Sequence, residues 1–289
     1  MRILKRTFLF LLLVPAVMRA QQDSSFFFVQ LADPQFGMFP FQKDFHKERV
    51  NLGLAVEAIN RLKPAFVVVC GDFVNKKNDR RQIEAFRETL SRLDKGIPVY
   101  LVPGNHDVGN VPTTEALEEY RRNFGPDYYS FSRGGWTFIV LNSSLMKAPA
   151  KAEDLAKAQE QWFAAALDSA KSGNEKVIVF QHHPWFVAKP DEPNGYFNMP
   201  RNLRRHYLGL LASDGVSYVF AGHLHQNASG QYRNLSMVTT GPVGMPLGTS
   251  PSGLRVVTIR GNNVEHRYYA LRKVPARVDI GRAAVPGRN

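Results

Sequence analysis

The chain has 289 residues, enough for one large domain or two small ones. Hydrophobic residues make up 44% of it and charged residues 21%, an ordinary globular composition that argues against intrinsic disorder. The single cysteine, Cys70, excludes a disulfide within the chain. The formal net charge is +12, and much of the excess lies near the C-terminus. That end lacks the dense basic run with interleaved aromatics that favours nucleic-acid binding, so we interpret it as a solvated tail and expect no nucleic-acid partner.

The first twenty residues carry the pattern of an export signal. Arg2, Lys5 and Arg6 precede an apolar run over positions 8–17, and the small residue Ala20 follows as a cleavage point. This is the pattern of a secretory signal peptide. A membrane anchor is the alternative, but the run is shorter than the roughly 20 residues that a helix needs to span a bilayer. We therefore expect the mature protein to be secreted or periplasmic, with no stable membrane insertion.

Apolar runs alternate with helical patterns along most of the chain, which predicts a layered α/β (α+β) domain. The predicted strands are almost continuously apolar, which indicates burial on both faces. They cover 26–32, 66–70, 99–102, 138–142, 177–181, 218–221, 237–240, 254–259 and 264–269, the last two forming a hairpin. The predicted helices cover 50–62, 82–93, 113–124, 152–170 and 203–211.

The interior shows no linker and no repeat of fixed period, so a single catalytic domain is the simplest organisation. The predicted segments are a signal peptide at 1–20, a domain at 21–270 and a basic C-terminal tail at 271–289.

Five short polar segments each follow one of the apolar runs. In open α/β sheets, sites form where strands end at their carboxyl edge, so these segments are expected to converge. Glycines before two of the segments' polar residues allow tight turns, and residues two apart in an extended segment point to the same side. The segments are Asp33-Pro34-Gln35, Gly71-Asp72, Gly104-Asn105-His106-Asp107, Gln181-His182-His183-Pro184 and Gly222-His223-Leu224-His225.

Oxygen and imidazole donors in these segments predict a metal site. Such mixed donors suit iron, manganese or zinc. Seven candidates exceed what one four-coordinate ion uses, so we predict two ions about 3.5–4 Å apart that share a carboxylate. The alternative is that each segment has a purely structural role, as a helix cap or a turn. The presence of five such segments at strand ends in one chain argues against it. The predicted ligands are Asp33, Gln35, Asp72, Asn105, His182, His223 and His225.

The five segments resemble, in order, the motifs of the calcineurin-like metallophosphoesterases: D-x-H, G-D, G-N-H-D/E, H and G-H-x-H. The Asp-Pro-Gln opening is similar to a branch of that family with Ser/Thr phosphatase-like members. The segments at 198–201, 215–220 and 253–257 look like the same branch. The resemblance covers about residues 26–270 and implies a four-layer α/β/β/α sandwich.

Carried over by motif, the resemblance implies a ligand set for each ion. The two sets share Asp72 as the bridge. It also implies that His106 donates to a phosphate oxygen or protonates the leaving oxygen. Asp107, grouped with His106 as a catalytic residue, is expected to lie beside it and to help set the geometry of the motif. His183 is expected to be a packing residue. The first set is Asp33, Gln35, Asp72 and His225, and the second is Asp72, Asn105, His182 and His223.

Two residues depart from the family's pattern. Gln35 stands where most relatives have histidine, and a carboxamide oxygen is a weaker donor than imidazole toward zinc or iron. The first ion is therefore expected to be labile, or to be a harder ion such as manganese or magnesium. Asn75 stands where protein phosphatases of the family have an aspartate that orients the acid histidine, so His106 is expected to be less perturbed and to prefer acidic leaving groups.

The predicted function is a secreted phosphoesterase in which a metal-bound hydroxide attacks phosphomonoesters of small molecules or phosphoproteins. A phosphodiesterase acting on cyclic nucleotides or other diesters, and a binding protein with a decayed site, are the alternatives, as is a nucleic-acid binder that uses the tail. Loops at 38–43, 185–201 and 242–251 are expected to rim the site. In the second of them and just beyond it, Arg201 and Arg204 either clamp phosphate or are solvated, and Trp185 and Phe186 form either an apolar wall or core.

Overall fold

The computed structural model describes residues 25–41 and 44–281. The predicted signal peptide lies outside these ranges. The strands are β1 Phe26–Ala32, β2 Val67–Cys70, β3 Val99–Val102, β4 Tyr129–Arg133, β5 Trp136–Val140, β6 Lys176–Phe180, β7 Val216–Ala221, β8 Ala228–Tyr232, β9 Leu235–Thr239, β10 Gly253–Arg260 and β11 Asn263–Ala270. The helices are α1 His46–Leu62, α2 Arg80–Leu90, α3 Asn105–Val108, α4 Thr114–Phe124, α5 Ser143–Lys147, α6 Glu153–Ser172 and α7 Arg201–Ser213, and a 3₁₀ turn covers Leu271–Lys273.

The strands form two sheets. One has the order β11-β10-β1-β2-β3 and the other β4-β5-β6-β7-β9-β8. Each sheet contains a run of parallel strands: β1, β2 and β3 in the first, and β5, β6, β7 and β9 in the second. The predicted hairpin is confirmed, with Arg260 opposite Asn263. Parallel neighbours end at the same edge, so each sheet delivers several segments to one side of the molecule.

Three apolar clusters lie between four layers. In β1, Phe28 points toward the other sheet and stacks edge-on to Phe138, Phe180 and Phe220. The neighbouring Val29 joins the cluster under α1, α2 and α4, while α6 and α7 cover the outer face of the second sheet. Because successive side chains of a strand point to opposite faces, burial on both sides requires the continuous apolar runs seen in the sequence. The predicted four-layer α/β/β/α arrangement is confirmed.

Two strands were not predicted, and both lie at the edges of the six-stranded sheet. The strand β4 alternates partly exposed and exposed positions, and β8 has the polar sequence Ala-Ser-Gly-Gln-Tyr. Each pairs with its sequence neighbour as an antiparallel hairpin. Edge strands are half-solvated and therefore lack the apolar run that marked the central ones.

Part of the C-terminal tail contacts the body of the domain. Arg61 of α1 donates a hydrogen bond to the carbonyl of Val274 at 3.4 Å, and Arg260 donates to the carbonyl of Asp279 at 2.9 Å. Val274 also packs against the cluster under α1. Main-chain carbonyls and apolar side chains of this stretch thus bind to the body as far as Asp279, while most of its side chains, among them Arg272, Lys273 and Arg277, are exposed. The part of the chain with described coordinates contains no helix long and apolar enough to cross a bilayer.

A buried polar network joins the two sheets behind the strand ends. Gln30 of β1 donates to the carbonyl of Ala221 and accepts from the hydroxyl of Thr240 at 2.7 Å. Arg255 donates through Nε to that same hydroxyl and through Nη1 to Nδ1 of His266 at 3.0 Å. A guanidinium has no acceptor, so His266 must be neutral at that nitrogen. Burial and the adjacent Arg255 lower the pKa of His266 to about 4.

This network predicts a pH dependence of stability. Because the pKa of His266 in the folded protein lies below its ordinary value of about 6.5, the neutral ring stabilises the fold above pH 6.5, and this contribution is lost as the pH falls toward 4. We expect the metal-free wild type to lose about 1–2 kcal/mol more than His266→Gln over that interval, allowing for the ring's partial exposure. Urea unfolding at pH 7, 5.5 and 4.5 measures it; equal pH slopes of the unfolding free energy would contradict the assignment.

Candidate metal centre and catalytic residues

The motif segments remain hydrogen-bonded to one another after their strands end. The amide of Asp33 donates to the carbonyl of Gly71 at 3.2 Å, and the amide of Gln35 donates to that of Asp72 at 2.8 Å. From the other sheet, the amide of His223 donates to both carboxylate oxygens of Asp33, at 3.1 and 3.0 Å. Segments from both sheets therefore meet at one edge, as the positions of the strand ends predicted.

Backbone strain concentrates at this edge. Five of the seven predicted ligands have a positive φ, a conformation that side chains other than glycine adopt rarely. Non-glycine residues in such regions persist only where the surrounding structure holds them, and they cluster at functional sites. The five are Asp33 at 49°, Gln35 at 38°, Asp72 at 50°, His223 at 70° and His225 at 54°.

Two glycines are required by close approach rather than by their own φ. A Cβ at Gly104 would overlap the carboxylate and amide of Asp72, and one at Gly222 would lie 2.7 Å from Oδ2 of Asp33. The glycines of the motifs therefore bring the carboxylates against neighbouring main chain. Any side chain at these positions would displace a predicted ligand.

Two groups of buried donors converge and share one residue. In each group the ligand atoms lie within 4.8 Å of one another. Asp72 belongs to both groups, which agrees with the bridging role expected for it. The groups are Asp72, His182 and His223, and Asp33, Asp72 and His225.

The three histidines are each oriented by a main-chain carbonyl. Nδ1 of His182 lies 3.1 Å from the carbonyl of Cys70, and Nδ1 of His225 lies 2.6 Å from that of Met245. Nε2 of His223 lies 3.2 Å from the carbonyl of Tyr196. A carbonyl only accepts, so each of these nitrogens carries the proton and the other ring nitrogen presents a lone pair to the cluster. Such outer hydrogen bonds fix the tautomer of metal-bound histidines.

The free ring nitrogens of His182 and His223 lie close to each other and to oxygen acceptors. Nε2 of His182 lies 3.1 Å from Nδ1 of His223, 3.0 Å from Oδ1 of Asn105 and 3.2 Å from Oδ2 of Asp72. Acceptors at these distances are stable only around a proton or a cation. Oε1 of Gln35 is a further acceptor, buried without a hydrogen-bond partner. The donor set therefore fits a pair of metal ions held by oxygen and imidazole.

The titration of the cluster supports the same conclusion. Burial lowers the pKa of His182, but the Asp72 and Asp33 carboxylates outweigh burial and raise it to about 9. Burial and the adjacent His182 lower the pKa of His223 to about 3. One positive charge is thus retained between two buried carboxylates when only protons are available. A metal cation supplies that charge in its place.

His106 lies beside the shared carboxylate. Its amide donates to Oδ1 of Asp72 at 2.8 Å, and its ring Nδ1 lies 2.6 Å from the carbonyl of Asn75. The carbonyl fixes the proton on Nδ1, so Nε2 is the nitrogen that can reach a substrate. The ring is partly exposed, unlike the buried histidines of the cluster. This is the placement that a general acid requires.

Within residues 25–41 and 44–281, the Asp107 carboxylate is hydrogen-bonded to main-chain amides. Its carboxylate accepts from the amides of Phe73 at 2.8 Å, Val74 at 3.3 Å and Gly104 at 2.8 Å. It thereby joins the segment after β2 to the segment after β3. These contacts agree with the expectation that Asp107 helps to set the geometry of the motifs.

Two residues that the sequence did not predict lie beside the ligands: Tyr196 in the loop between β6 and α7, and Lys147 at the end of α5. The Tyr196 hydroxyl lies 3.3 Å from Nδ2 of Asn105, and its ring centroid lies 4.9 Å from that of His223. Its carbonyl also accepts from Nζ of Lys147 at 2.7 Å. Burial lowers the pKa of Lys147 to about 8. Tyr196 thus contacts two predicted ligands of one ion.

Other residues of this region are structural. Arg204 is buried and donates to the carbonyls of Pro190 at 3.0 Å and Glu192 at 2.7 Å, so it holds the loop and does not clamp phosphate. Trp185 and Phe186 are fully buried and belong to the core. Nδ1 of His183 pairs with the hydroxyl of Ser143 at 3.0 Å, a packing role as expected.

Comparisons with known proteins agree with the geometry. The calcineurin-like phosphoesterase family model matches residues 31–227. A human protein named serine/threonine-protein phosphatase CPPED1 is 39% identical over 274 residues, covering 89% of this chain and 87% of the human protein. The predicted family and its Ser/Thr phosphatase-like branch are confirmed.

Two solved structures share the fold. A dimetal phosphatase from Danio rerio matches with a TM-score of 0.59 and 19% identity, covering 85% of this chain and 99% of that one. GAP50 of Plasmodium, described as an anchor in the inner membrane complex, matches with a TM-score of 0.66 and 18% identity, covering 87% and 86%. The chain belongs to the calcineurin-like phosphoesterase family and is a metallophosphoesterase, a hydrolase of phosphoric esters.

Proposed function

We propose that this protein hydrolyses phosphomonoesters carried by polypeptides. The observation that carries the proposal is the position of His106, whose amide is bonded to the carboxylate that the two ligand groups share. The reacting phosphate and the acid that protonates its leaving oxygen would therefore lie next to each other. The family uses a dinuclear metal centre, which when bound supplies Lewis acidity to the phosphoryl oxygens and activates the attacking water.

The residues of the chain supply the remaining steps. The amide of His106 fixes one oxygen of Asp72, which leaves the other to the ligand groups. The carbonyl of Asn75 holds Nδ1–H of His106 in both of the ring's charge states, so Nε2 can give a proton to the departing oxygen without reorienting. Lys147, beside Tyr196, places a cationic group near the ligand His223.

An apolar rim favours a polypeptide over a small phosphate ester. Large hydrophobic side chains are exposed in the loops that follow the segments ending at Gln35, Asp107 and Pro184, and in the loop after β9, where a small polar substrate has no use for them. Leu247, for example, donates its amide to the carbonyl of His225 and is 56% exposed. The relatives named serine/threonine-protein phosphatases support the same substrate class. The exposed rim residues are Phe41, Val111, Tyr196, Phe197 and Leu247.

The test is a substrate panel. We expect hydrolysis of p-nitrophenyl phosphate and of phosphoserine peptides, with a higher kcat/KM for peptides that carry apolar residues next to phosphoserine. Bis-p-nitrophenyl phosphate separates the diesterase alternative. Faster hydrolysis of the diester than of any monoester would overturn the proposal of a phosphomonoesterase. A kcat/KM for peptides that does not depend on the residues next to phosphoserine would overturn the proposal of a polypeptide substrate.

We further propose iron, manganese or zinc at the two positions, with manganese or magnesium favoured beside Gln35. A neutral carboxamide oxygen replaces an imidazole there, and it lowers the affinity for borderline metals more than for hard ones. Titration of the metal-free protein with Mn²⁺ or Zn²⁺ should show two sites that differ at least about tenfold in Kd. Gln35→His should bring the Zn²⁺ affinities closer together. Two equally tight sites in the wild type would contradict this prediction.

Export is also proposed, from the sequence of residues 1–20 alone. The mature protein would then act outside the cytoplasm on extracellular or periplasmic phosphate esters. Fractionation of expressing cells, with mass spectrometry of the mature N-terminus, tests this. An intact N-terminus in the cytoplasmic fraction would contradict it.

A further inference from the structure

Gln35 and Asn75, the two residues that depart from the family's pattern, are bonded to each other. Nε2 of Gln35 donates to Oδ1 of Asn75 at 3.1 Å, across 40 residues of sequence. The other end of the Gln35 carboxamide, Oε1, is buried and has no hydrogen-bond partner. One end of this side chain is thus held by protein, and the other is left for a ligand.

A carboxamide can point either its oxygen or its NH₂ group toward the metal, because the two ends are nearly the same size, but only the oxygen can bind the metal. The oxygen has lone pairs, whereas the NH₂ group only donates. Histidine has no such ambiguity once one ring nitrogen is bonded to a carbonyl, as in His182 and His225. A glutamine ligand therefore needs a partner that selects its oxygen-inward orientation.

The main chain places Asn75 where it can do this. The segment after β1 pairs with the segment after β2: Gln35 donates its amide to Asp72, and Asn75 donates its amide to the carbonyl of Phe36 at 2.9 Å. Gln82 of α2 accepts from the amides of Asn75 and Lys76 at 3.0 and 2.8 Å. Asn75 is therefore fixed from two directions, beside the Gln35 side chain.

Asn75 also contacts the acid, but through its main chain. Its carbonyl accepts from Nδ1 of His106, while its side chain faces Gln35. The sequence led us to expect that the side chain at this position acts on His106. In the structure the carbonyl of Asn75 contacts His106 and its side chain contacts Gln35. A substitution at position 75 therefore leaves the contact between the carbonyl and His106 in place.

We propose that Asn75 is a positioning residue that holds the Gln35 carboxamide with its oxygen toward the first metal position. The inference rests on the metal centre proposed above and deepens it. An acceptor at position 75, whether asparagine or aspartate, is what a glutamine ligand needs. Loss of such an outer hydrogen bond at metal sites costs about 10–100-fold in metal affinity.

The test is Mn²⁺ affinity, measured by calorimetric titration of metal-free protein. Asn75→Ala should weaken the weaker of the two sites about 10–100-fold. Asn75→Asp should keep the affinity, because a carboxylate accepts from the Gln35 amide and forces the same orientation. Asn263→Ala, an exposed asparagine of the β10–β11 hairpin, is the matched control and should change nothing.

A second background distinguishes positioning from a general structural effect. In Gln35→Glu either side-chain oxygen can bind a metal, so the orientation of the side chain no longer matters. There Asn75→Ala should cost less than about threefold in Mn²⁺ affinity. An equal loss in both backgrounds, an unchanged affinity for Asn75→Ala alone, or an equal loss for Asn75→Asp would each overturn the inference. Failure of the wild type to bind two Mn²⁺ ions would instead overturn the proposed metal centre.

Discussion

Asp72→Asn is expected to remove both metal ions and to lower kcat/KM by at least about a thousandfold, since a metal supplies several kcal/mol and each 1.4 kcal/mol is a factor of ten. The reason is geometric. Asp72 is the one residue common to the two ligand groups, and it also accepts the amide of His106. An amide in its place provides a single neutral oxygen and brings an NH₂ group close to His182.

The measurement is metal content by mass spectrometry together with hydrolysis of p-nitrophenyl phosphate. Asp154→Asn is the matched control, because the Asp154 side chain on α6 is fully exposed. Its metal content and activity should equal those of the wild type. An Asp72→Asn protein that retains two ions, or that keeps more than a tenth of the wild-type rate, would show that Asp72 does not bridge.

His106→Ala is expected to keep both metals and to lower kcat by about 10²–10⁴, the usual contribution of a positioned acid. The loss should grow with the pKa of the leaving group, because a poor leaving oxygen depends most on protonation. Aryl phosphates with leaving-group pKa values of about 7 to 10 should therefore show a steeper dependence in the variant than in the wild type.

The control for this variant is His206→Ala, whose side chain is 62% exposed on α7. It should behave like the wild type for every ester. If His106→Ala turned over all esters as fast as the wild type, the acid assignment would fail and the reading of the chain as a decayed binding protein would gain support. A loss of metal would show instead that His106 acts through Asp72.

The ligand segments could be predicted because each follows an apolar strand. Asp33 comes directly after β1 and Asp72 two residues beyond the end of β2, so their side chains must emerge at the carboxyl edge. What the strand pattern could not show is that β1–β3 and β6–β7 belong to different sheets. The aromatic contacts of Phe28 with Phe138, Phe180 and Phe220, which set the sheets face to face, have no local signature.

Contacts made by main-chain atoms could not be predicted from the sequence either. Tyr196 orients His223 through its carbonyl, and any residue type at that position has one. The hydrogen bond between Gln35 and Asn75 is different, because both side chains were already marked as departures from the family. Their pairing could have been suggested from the sequence by asking which residue fixes a carboxamide ligand. The amides that Asp107 binds could not be predicted either, because a motif position does not reveal which backbone amides its carboxylate accepts from.

The most direct test of the account is to titrate the metal-free protein with Mn²⁺ while counting bound ions and following hydrolysis of a phosphoserine peptide. We predict that binding saturates at two ions per chain and that full activity appears only with the second. Full activity in the metal-free protein, or activity that saturates with one ion bound, would contradict a dinuclear centre built around Asp72.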